Sequence, residues 1–515
     1  MSDNTPVMIG VGEASERIDA PDYVALSPVA LAAKAAAAAL ADAGAPGLGA
    51  HIDTIAAIRQ FEVSGPNARP PFGASDNFAR SVGQRIGANP ARAILETVGG
   101  QGPQHLVNEL AHAIAAGDSN MALLCGSEAI STVRHLTARG ETRDWSESVG
   151  GQLEARGFGG EGMLTRDLVL QGARTPITIY ALLENARRGR LGLDRAAYAR
   201  DMARLFAPFT DVAAQNPHAM SPERRTVDEL AMVTADNRLT SDPFPRRMVA
   251  RDQANQGAAV LLASADKARE LGVPEDRFVY LHGGADVKER TVMERRDLSR
   301  NPAALMACQQ ALDVSSVSLE DISFFDLYSC FPIAVFNICD GLGLAPDDPR
   351  GLTLTGGLPF FGGAGNNYSM HAIASMARAV RDRPGSYGLV GANGGFLSKY
   401  SVGVYSTRSV AWRGFDSADL QAEIDSWRSP AINPDYVGEA KVETYTIDYA
   451  GAAPRGVIIG RTPDGARVAA SVEDEVLVRR LIDEEPLGGS FVTAPTADGK
   501  SLVSAFAQGA IDLEQ

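Results

Sequence analysis

Two glycine-rich turns, about 260 residues apart, limit how this chain can fold. GGAGNNYSMH, Gly362 to His371, echoes GGQGPQHLVN, Gly99 to Asn108. In the first instance AILETV leads into the turn, a helical HLVNELAHAIAAG follows, and the apolar MALLCGSEA comes next. In the second, LTLTGGLPFF leads into the turn, and YSMHAIASMARAV and YGLVGANGG follow. A further pair lies upstream of each turn. SPVALAAKAAAAALADAG, Ser27 to Gly44, carries a Ser cap, Pro at the first helical position and a terminal Gly, and it precedes the strand-like IDTIAAIRQF. NPAALMACQQALDVSS, Asn301 to Ser316, repeats that design and precedes LEDISFFDLYSCF. Glycine turns before helices are common in α/β proteins, so one echo would say little. Two echoes in the same order predict a tandem βα-rich unit, each copy ending a strand on a tight glycine turn.

At 515 residues, the chain exceeds one ordinary core, and its 45% apolar and 22% charged residues suit large buried layers. A formal net charge of −15 argues against binding a nucleic-acid backbone, though it leaves room for a local basic groove. The four cysteines, Cys125, Cys308, Cys330 and Cys339, have neither disulfide nor zinc-cage spacing, which predicts reduced thiols in the cytoplasm. MSDNTPVMIGVGEAS lacks a basic n-region, and no uncharged apolar run of about 20 residues occurs, so neither export nor a membrane span is expected.

From about Ser131 to Met248 the composition shifts toward Arg, Gly and Pro with amphipathic segments such as LDRAAYARDMARLF, too long for a connecting loop. Its ARRGRLGLDR and PFPRRMVARD stretches are either solvated helix faces or anion-binding elements. After a linker near SWRSPAINPDYVG, three strand-like runs, a helix and two more strands suit a small closed barrel of the OB type. The expected division is 1–265 with the insertion at about 131–248, then 266–415, and a separable barrel over 430–515.

PVMIGVGEA, AIAAGDSNMALLCGSEAIS, NRLTSDPFPRRMVARDQANQGAAVLLAS, FFDLYSCF and LTGGLPFFGGAG, taken in this order, resemble the thiolase superfamily over roughly the first 410 residues. The resemblance implies a duplicated α/β fold of αβαβα layers with an inserted helical loop subdomain. CoA or an acyl-CoA would lie between the repeat halves and the insertion. The C-terminal barrel resembles the extra domain of the thiolase-like type 1 group. Thiolase relatives are commonly dimers or tetramers, and the extra barrel leaves monomer or homodimer open here.

Thiolase chemistry needs a Cys at a helix amino end to attack the thioester, a second Cys for proton transfer, and His or Asn oxyanion donors. Matched to the family pattern, the nucleophile position falls on or beside Gly100 in GGQGPQ. The His-Asp-Cys-Phe or Asn-Glu-Ala-Phe element becomes Tyr328-Ser329-Cys330-Phe331. The Gly-His-Pro element becomes Gly362-Gly363-Ala364, and the Cys-x-Gly element falls near Ala392-Asn393-Gly394. The four existing cysteines read as buried structural thiols.

Polar candidates remain. Tyr328 is a phenolic acid or base. His371 is a proton carrier, although its place inside a helix also suits packing. Asn366, Asn367 and Asn393 are candidates to hold a carbonyl oxygen, with helix capping or a left-handed turn the alternative for the first two. Gly100, Gly102, Gly363, Gly365 and Gly394 let backbone approach a ligand and present amides at helix amino ends. His51, His105, His112, His135, His218 and His282 show no metal-ligand spacing, and no metal is expected. His105 alone among them stands where it would face the pocket or the surface.

The leading expectation is an acyl-CoA-binding protein of acyl-CoA metabolism without cysteine chemistry. It would act on a CoA thioester, by retro-aldol cleavage if at all, with no covalently bound cofactor and no nucleic-acid partner. A non-catalytic acyl-CoA or lipid carrier is the alternative. A conventional acetyl-CoA acetyltransferase is disfavoured by the missing side chains.

Overall fold

A computed structural model describes residues 3–160 and 163–507. The first repeat contributes β1 (Pro6–Ser15), β2 (Thr54–Ala57), β3 (Arg92–Leu95) and β4 (Met121–Ala129). The insertion supplies β5 (Glu154–Ala155), β6 (Leu239–Ser241) and β7 (Phe244–Pro245), and β8 (Asn255–Ser264) closes the half. The second repeat contributes β9 (Val279–Lys288), β10 (Ile322–Leu327), β11 (Tyr387–Gly394) and β12 (Lys399–Ser406).

Strand order shows the duplication directly. The first half runs β1-β8-β4-β2-β3 and the second β9-β12-β11-β10, and they join edge to edge where Val7 pairs with Tyr280. In each half the last strand lies antiparallel between the first strand and a parallel set. The second half lacks a counterpart of β3. LTLTGG, expected as a strand ending on the glycine turn, is instead a loop. The buried Asp326 carboxylate accepts from the backbone amides of Leu354 (2.8 Å) and Thr355 (3.1 Å) and from both threonine hydroxyls (3.1 Å each), which competes with a ladder. Gly356 and Gly357, at φ +109° and +78°, then turn the chain away.

Helices Pro28–Asp42 and Pro302–Ser315 cover the outer faces. Ser27 Oγ and Asn301 Oδ1 cap them by accepting from Ala30 (3.1 Å) and Ala304 (3.1 Å). Small residues allow the contact. A Cβ on Gly10 would lie 2.1 Å from the Ala39 carbonyl oxygen, and one on Gly283 would lie 2.3 Å from that of Ala311. Between the halves, helices Gly102–Ala116 and Tyr368–Asp382 bury Leu106, Leu110, Ile114, Ile373, Met376 and Val380, completing the αβαβα layers.

The C-terminal domain contains β13 (Gly438–Asp448), β14 (Arg455–Arg461), β15 (Arg467–Val472), helix Glu475–Asp483, β16 (Ser490–Pro495) and β17 (Ser501–Ala507). The order β13-β14-β15-β17-β16, closed by further β16–β13 pairing, is a five-strand barrel. It is more firmly attached than the linker implied. Insertion strand β6 pairs with β13, and Thr444, Asn185 and Ser471 bond across the junction. The fully buried Arg467 binds Glu443 and the carbonyls of Val292, Met293 and Arg295. No helix among the described residues is long and apolar enough to cross a membrane.

Candidate functional site

The two glycine turns that echo in the sequence meet in space. Gly99 N–H donates to Asn366 Oδ1 (3.0 Å), Asn366 Nδ2 donates to Arg59 O (2.7 Å), and Ser369 Oγ donates to Gly100 O (2.6 Å). Asn366 thus has both amide functions engaged in joining the turns. Asn367 precedes helix Tyr368–Asp382 without capping it through its side chain, contrary to the capping alternative. Its Nδ2 donates to Gly126 O (2.8 Å), and its buried Oδ1 has no donor.

Gly100 stands against Tyr328. A Cβ there would fall 2.4 Å from the Tyr328 hydroxyl oxygen, 2.6 Å from a ring carbon and 2.6 Å from Asn393 O. The space a thiolase cysteine would need is filled by the phenol. Asn393 Nδ2 donates to Tyr180 Oη (2.9 Å), while its buried Oδ1 is unpartnered. A Cβ on Gly394 would lie 2.0 Å from Gln101 Oε1 and 3.1 Å from Gly100 N. Tyr328, Asn393, Gly100 and Gly394 therefore converge, together with Gln101, Tyr180 and Cys330.

Not every predicted amide donor is free. Gly102 N–H bonds Gly99 O (3.0 Å), Gly363 N–H bonds Arg251 O (2.7 Å) and Gly365 N–H bonds Gly363 O (2.8 Å). These three glycines shape turns, and their amides are not available to a ligand. Among the described residues, the amides of Gly100 and Gln101 meet no acceptor, as the first donors of a helix often do.

His371 is fully buried, and its Nδ1 lies 2.6 Å from Glu13 Oε1. Arg378 pairs with the same carboxylate. The Glu13 carboxyl is held down at about 2: burial opposes this, and the hydrogen bond from His371 with the charges of His371 and Arg378 outweighs burial. Edge-on contacts from Tyr328 to Tyr368, Tyr368 to Phe361 and Phe361 to His371 set two rings between the candidate proton carriers. The structure does not bring His371 into contact with Tyr328.

Burial pushes the Tyr328 phenol well above its usual range, and nearby Cys330 adds to this, so it stays protonated. Burial likewise pushes Cys125, Cys308, Cys330 and Cys339 up to about 12, removing thiolate character. Glu128, which nothing in the sequence distinguished from a strand residue, presses an oxygen against Gly365, where a Cβ would come within 1.9 Å. Burial raises its carboxyl to about 8, despite the bond it accepts from Phe61 N–H (2.9 Å).

The two Arg-rich stretches part company. Arg187 and Arg190 pair with Asp340, Arg188 binds Glu485 and Tyr445 Oη, and Arg195 binds Tyr445 Oη and the Leu481 carbonyl. The first stretch is thereby spent on packing, much of it against the barrel, and its anion-binding alternative falls. Arg246, Arg247 and Arg251 of the second stretch join Arg225 around a cleft of about 430 Å³ beside Ile177 and Phe360. The Ala250 amide donates to Cys330 O (3.1 Å), so the cleft wall connects with the Tyr328 element.

Folding also gathers Glu96, His105 and Glu109, donor types that suit a metal. Arg156 already donates to both carboxylates, at 2.7 and 2.5 Å, and occupies the cation's role there. His105, the one undecided histidine, lines a cavity and contacts Asp286 Oδ1 at 3.2 Å.

Residues 419–498 match the profile of the thiolase-like protein type 1 additional C-terminal domain. The structure of a monomeric SCP2-thiolase-like protein type 1 from Mycobacterium smegmatis is 45% identical, with a TM-score of 0.84, covering 98% of this chain and 99% of that one. An Ltp2-ChsH2(DUF35) aldolase shares the fold at 18% identity and a TM-score of 0.59, covering 79% of this chain and 100% of that one. Acetyl-CoA acetyltransferase of Methanothermobacter thermautotrophicus is 25% identical over 189 residues, 36% of this chain and 46% of its own length.

Proposed function

The chain belongs to the SCP2-thiolase-like proteins of type 1, and we propose that it binds a CoA thioester and acts on it, if at all, without a covalent intermediate. The observation that carries this reading is the Tyr328 phenol in the space beside Gly100, next to two amides without acceptors. The arginines of the cleft supply charge for the phosphates of CoA. The thioester carbonyl would then point at Gly100 and Gln101, whose amides suit a developing oxyanion.

Retro-aldol cleavage of a β-hydroxyacyl-CoA is the reaction this arrangement serves. The β-hydroxyl proton goes to water, the Cα–Cβ bond breaks to release an aldehyde or ketone, and the electron pair passes to the thioester oxygen as an enolate. A proton returned to Cα completes the acyl-CoA. A phenol kept protonated by burial serves as the donor in that last step rather than as the base, and the phenolate then takes back the proton that the β-hydroxyl gave to water, so the cycle closes. Likeness in fold to an aldolase is compatible with this chemistry and does not by itself select it. A carrier without turnover is the second reading, favoured by the bonding of His371 to Glu13, away from Tyr328.

Calorimetry with CoA and hexanoyl-CoA tests binding, and turnover of β-hydroxyacyl-CoA tests chemistry. Tyr328→Phe should bind as before and lose about 10²- to 10⁴-fold in turnover. Absence of binding to any CoA species refutes the proposal. Binding without turnover in the unaltered protein selects the carrier, and an unchanged rate in the variant removes Tyr328 alone.

A further inference from the structure

A second cavity, of about 840 Å³, lies apart from the arginine cleft and reaches the same glycine turn. Gln101 lines it, while the unpartnered Oε1 of that side chain rests against Gly99 and Gly394. Gln101, 8% exposed, is thus common to the cavity lining and to the glycine turn that carries the Gly100 amide.

The hydrogen-bonding groups that line this cavity are unequally satisfied. Its carboxylates have donors: Arg156 holds Glu96 and Glu109, Asn108 and Ser401 hold Asp286, and Thr291 holds Glu294. Glu289 and Asp416 accept from the amides of Arg290 and Ala418. The two lysines differ. Lys288 and Lys399 are register partners on neighbouring antiparallel strands, and both line the cavity. Like charges placed directly opposite destabilise a sheet. Among the described residues neither lysine has a carboxylate partner: the half-buried Lys399 donates to the carbonyls of Val98 (3.1 Å) and Gly159 (2.7 Å), and Lys288 is exposed, its ammonium solvated at the cavity mouth. Beside them, Arg290 donates its guanidinium only to main-chain carbonyls. Since Val98 is two residues from Gly100, the Lys399 ammonium stands within roughly 10 Å of the reacting position.

Resting on the CoA reading above, we infer that this cavity receives the acyl part of the thioester, and that Lys288 and Lys399 bind a carboxylate at its far end. The substrate class is an ω-carboxyacyl-CoA. A carboxylate placed between the lysines relieves their mutual repulsion and forms charge-assisted hydrogen bonds, whereas a terminal methyl does neither. Lys399 also holds the main chain beside the glycine turn, so Lys288, whose ammonium has no hydrogen bond among the described residues, is the position to vary.

Adipoyl-CoA and hexanoyl-CoA differ only in a terminal carboxylate in place of a methyl, and calorimetry on the full chain compares them. Adipoyl-CoA is expected to bind at least about tenfold more tightly, as one charge-assisted hydrogen bond allows. Lys288→Met should remove most of that preference and Lys288→Arg should keep it. Equal affinity for the two esters overturns the acidic acyl group while leaving CoA binding in place. A preference that survives Lys288→Met overturns the role of the lysine pair. Failure of CoA and both esters to bind overturns this inference and the proposed function together.

Discussion

Restoring a thiol nucleophile by Gly100→Cys should fail, because the space is already filled, and a double-mutant cycle with Gly100→Ala measures why. Gly100 does not have a positive φ, so the cost of a side chain there is contact alone. An added Cβ meets two atoms of the Tyr328 ring and hydroxyl, at 2.6 and 2.4 Å, and Asn393 O at 2.6 Å. All three distances are shorter than real Cβ contacts, and Asn393 is fixed in β11 opposite Tyr400. Overpacking of this kind costs about 1–3 kcal/mol. Tyr328→Ala removes a buried ring and costs about 3–5 kcal/mol by itself. The double variant loses the ring contacts but keeps the Asn393 contact, so it should be less destabilised than the sum by on the order of 1–2 kcal/mol. Urea unfolding of the four proteins gives the cycle. Additivity within about 0.5 kcal/mol, or a Gly100→Ala protein as stable as the parent, would show that Tyr328 does not occupy this space.

Other outcomes follow from buried charges and thiols. Arg188→Ala takes from the partly exposed Glu485 its arginine and from Tyr445 one of its two guanidinium donors at the barrel junction, and should cost about 1–3 kcal/mol, read as a lower urea midpoint; a chain truncated near Pro430 should be insoluble because the junction loses all of these partners, and a soluble, folded product would contradict the integral barrel. Because Glu128 is raised from 4.5 to about 8, the folded state keeps its proton while the unfolded state loses it, so this group makes stability fall as pH rises from about 4.5 to 8. Glu128→Gln should flatten that fall, and an unchanged pH profile of urea midpoints would count against a neutral Glu128. With all four cysteines buried, a thiol reagent should label none in the native protein and four after denaturation, and incubation with acetyl-CoA should leave the intact mass unchanged.

Local chemistry made much of the fold readable. Ser27 with Pro28, and Asn301 with Pro302, mark helix starts through contacts within one turn, and the alternation after residue 438 marks the strands of the barrel. Duplication was legible because equivalent turns require equivalent glycines. That Gly100 and its neighbours include no cysteine was also plain from the order of residues.

Tertiary structure decided the partners. Asp326 lies 28 residues from Leu354, yet its buried carboxylate turned an apparent strand into a loop. Glu13 and His371 are separated by 358 residues and meet only because β1 and helix Tyr368–Asp382 pack together, which placed the histidine in a hydrogen bond to Glu13 rather than beside Tyr328. Of two similar arginine-rich stretches, one docks the barrel and the other lines a cleft, because each guanidinium takes whichever carboxylate, carbonyl or open space the fold presents to it. Helix caps and strand alternation depend on neighbours within a few bonds of backbone, so the sequence alone carries them. Burial and pairing depend on atoms that are near in space and far along the chain, so the positions of Tyr328 against Gly100 and of Lys288 against Lys399 became visible only in the folded molecule.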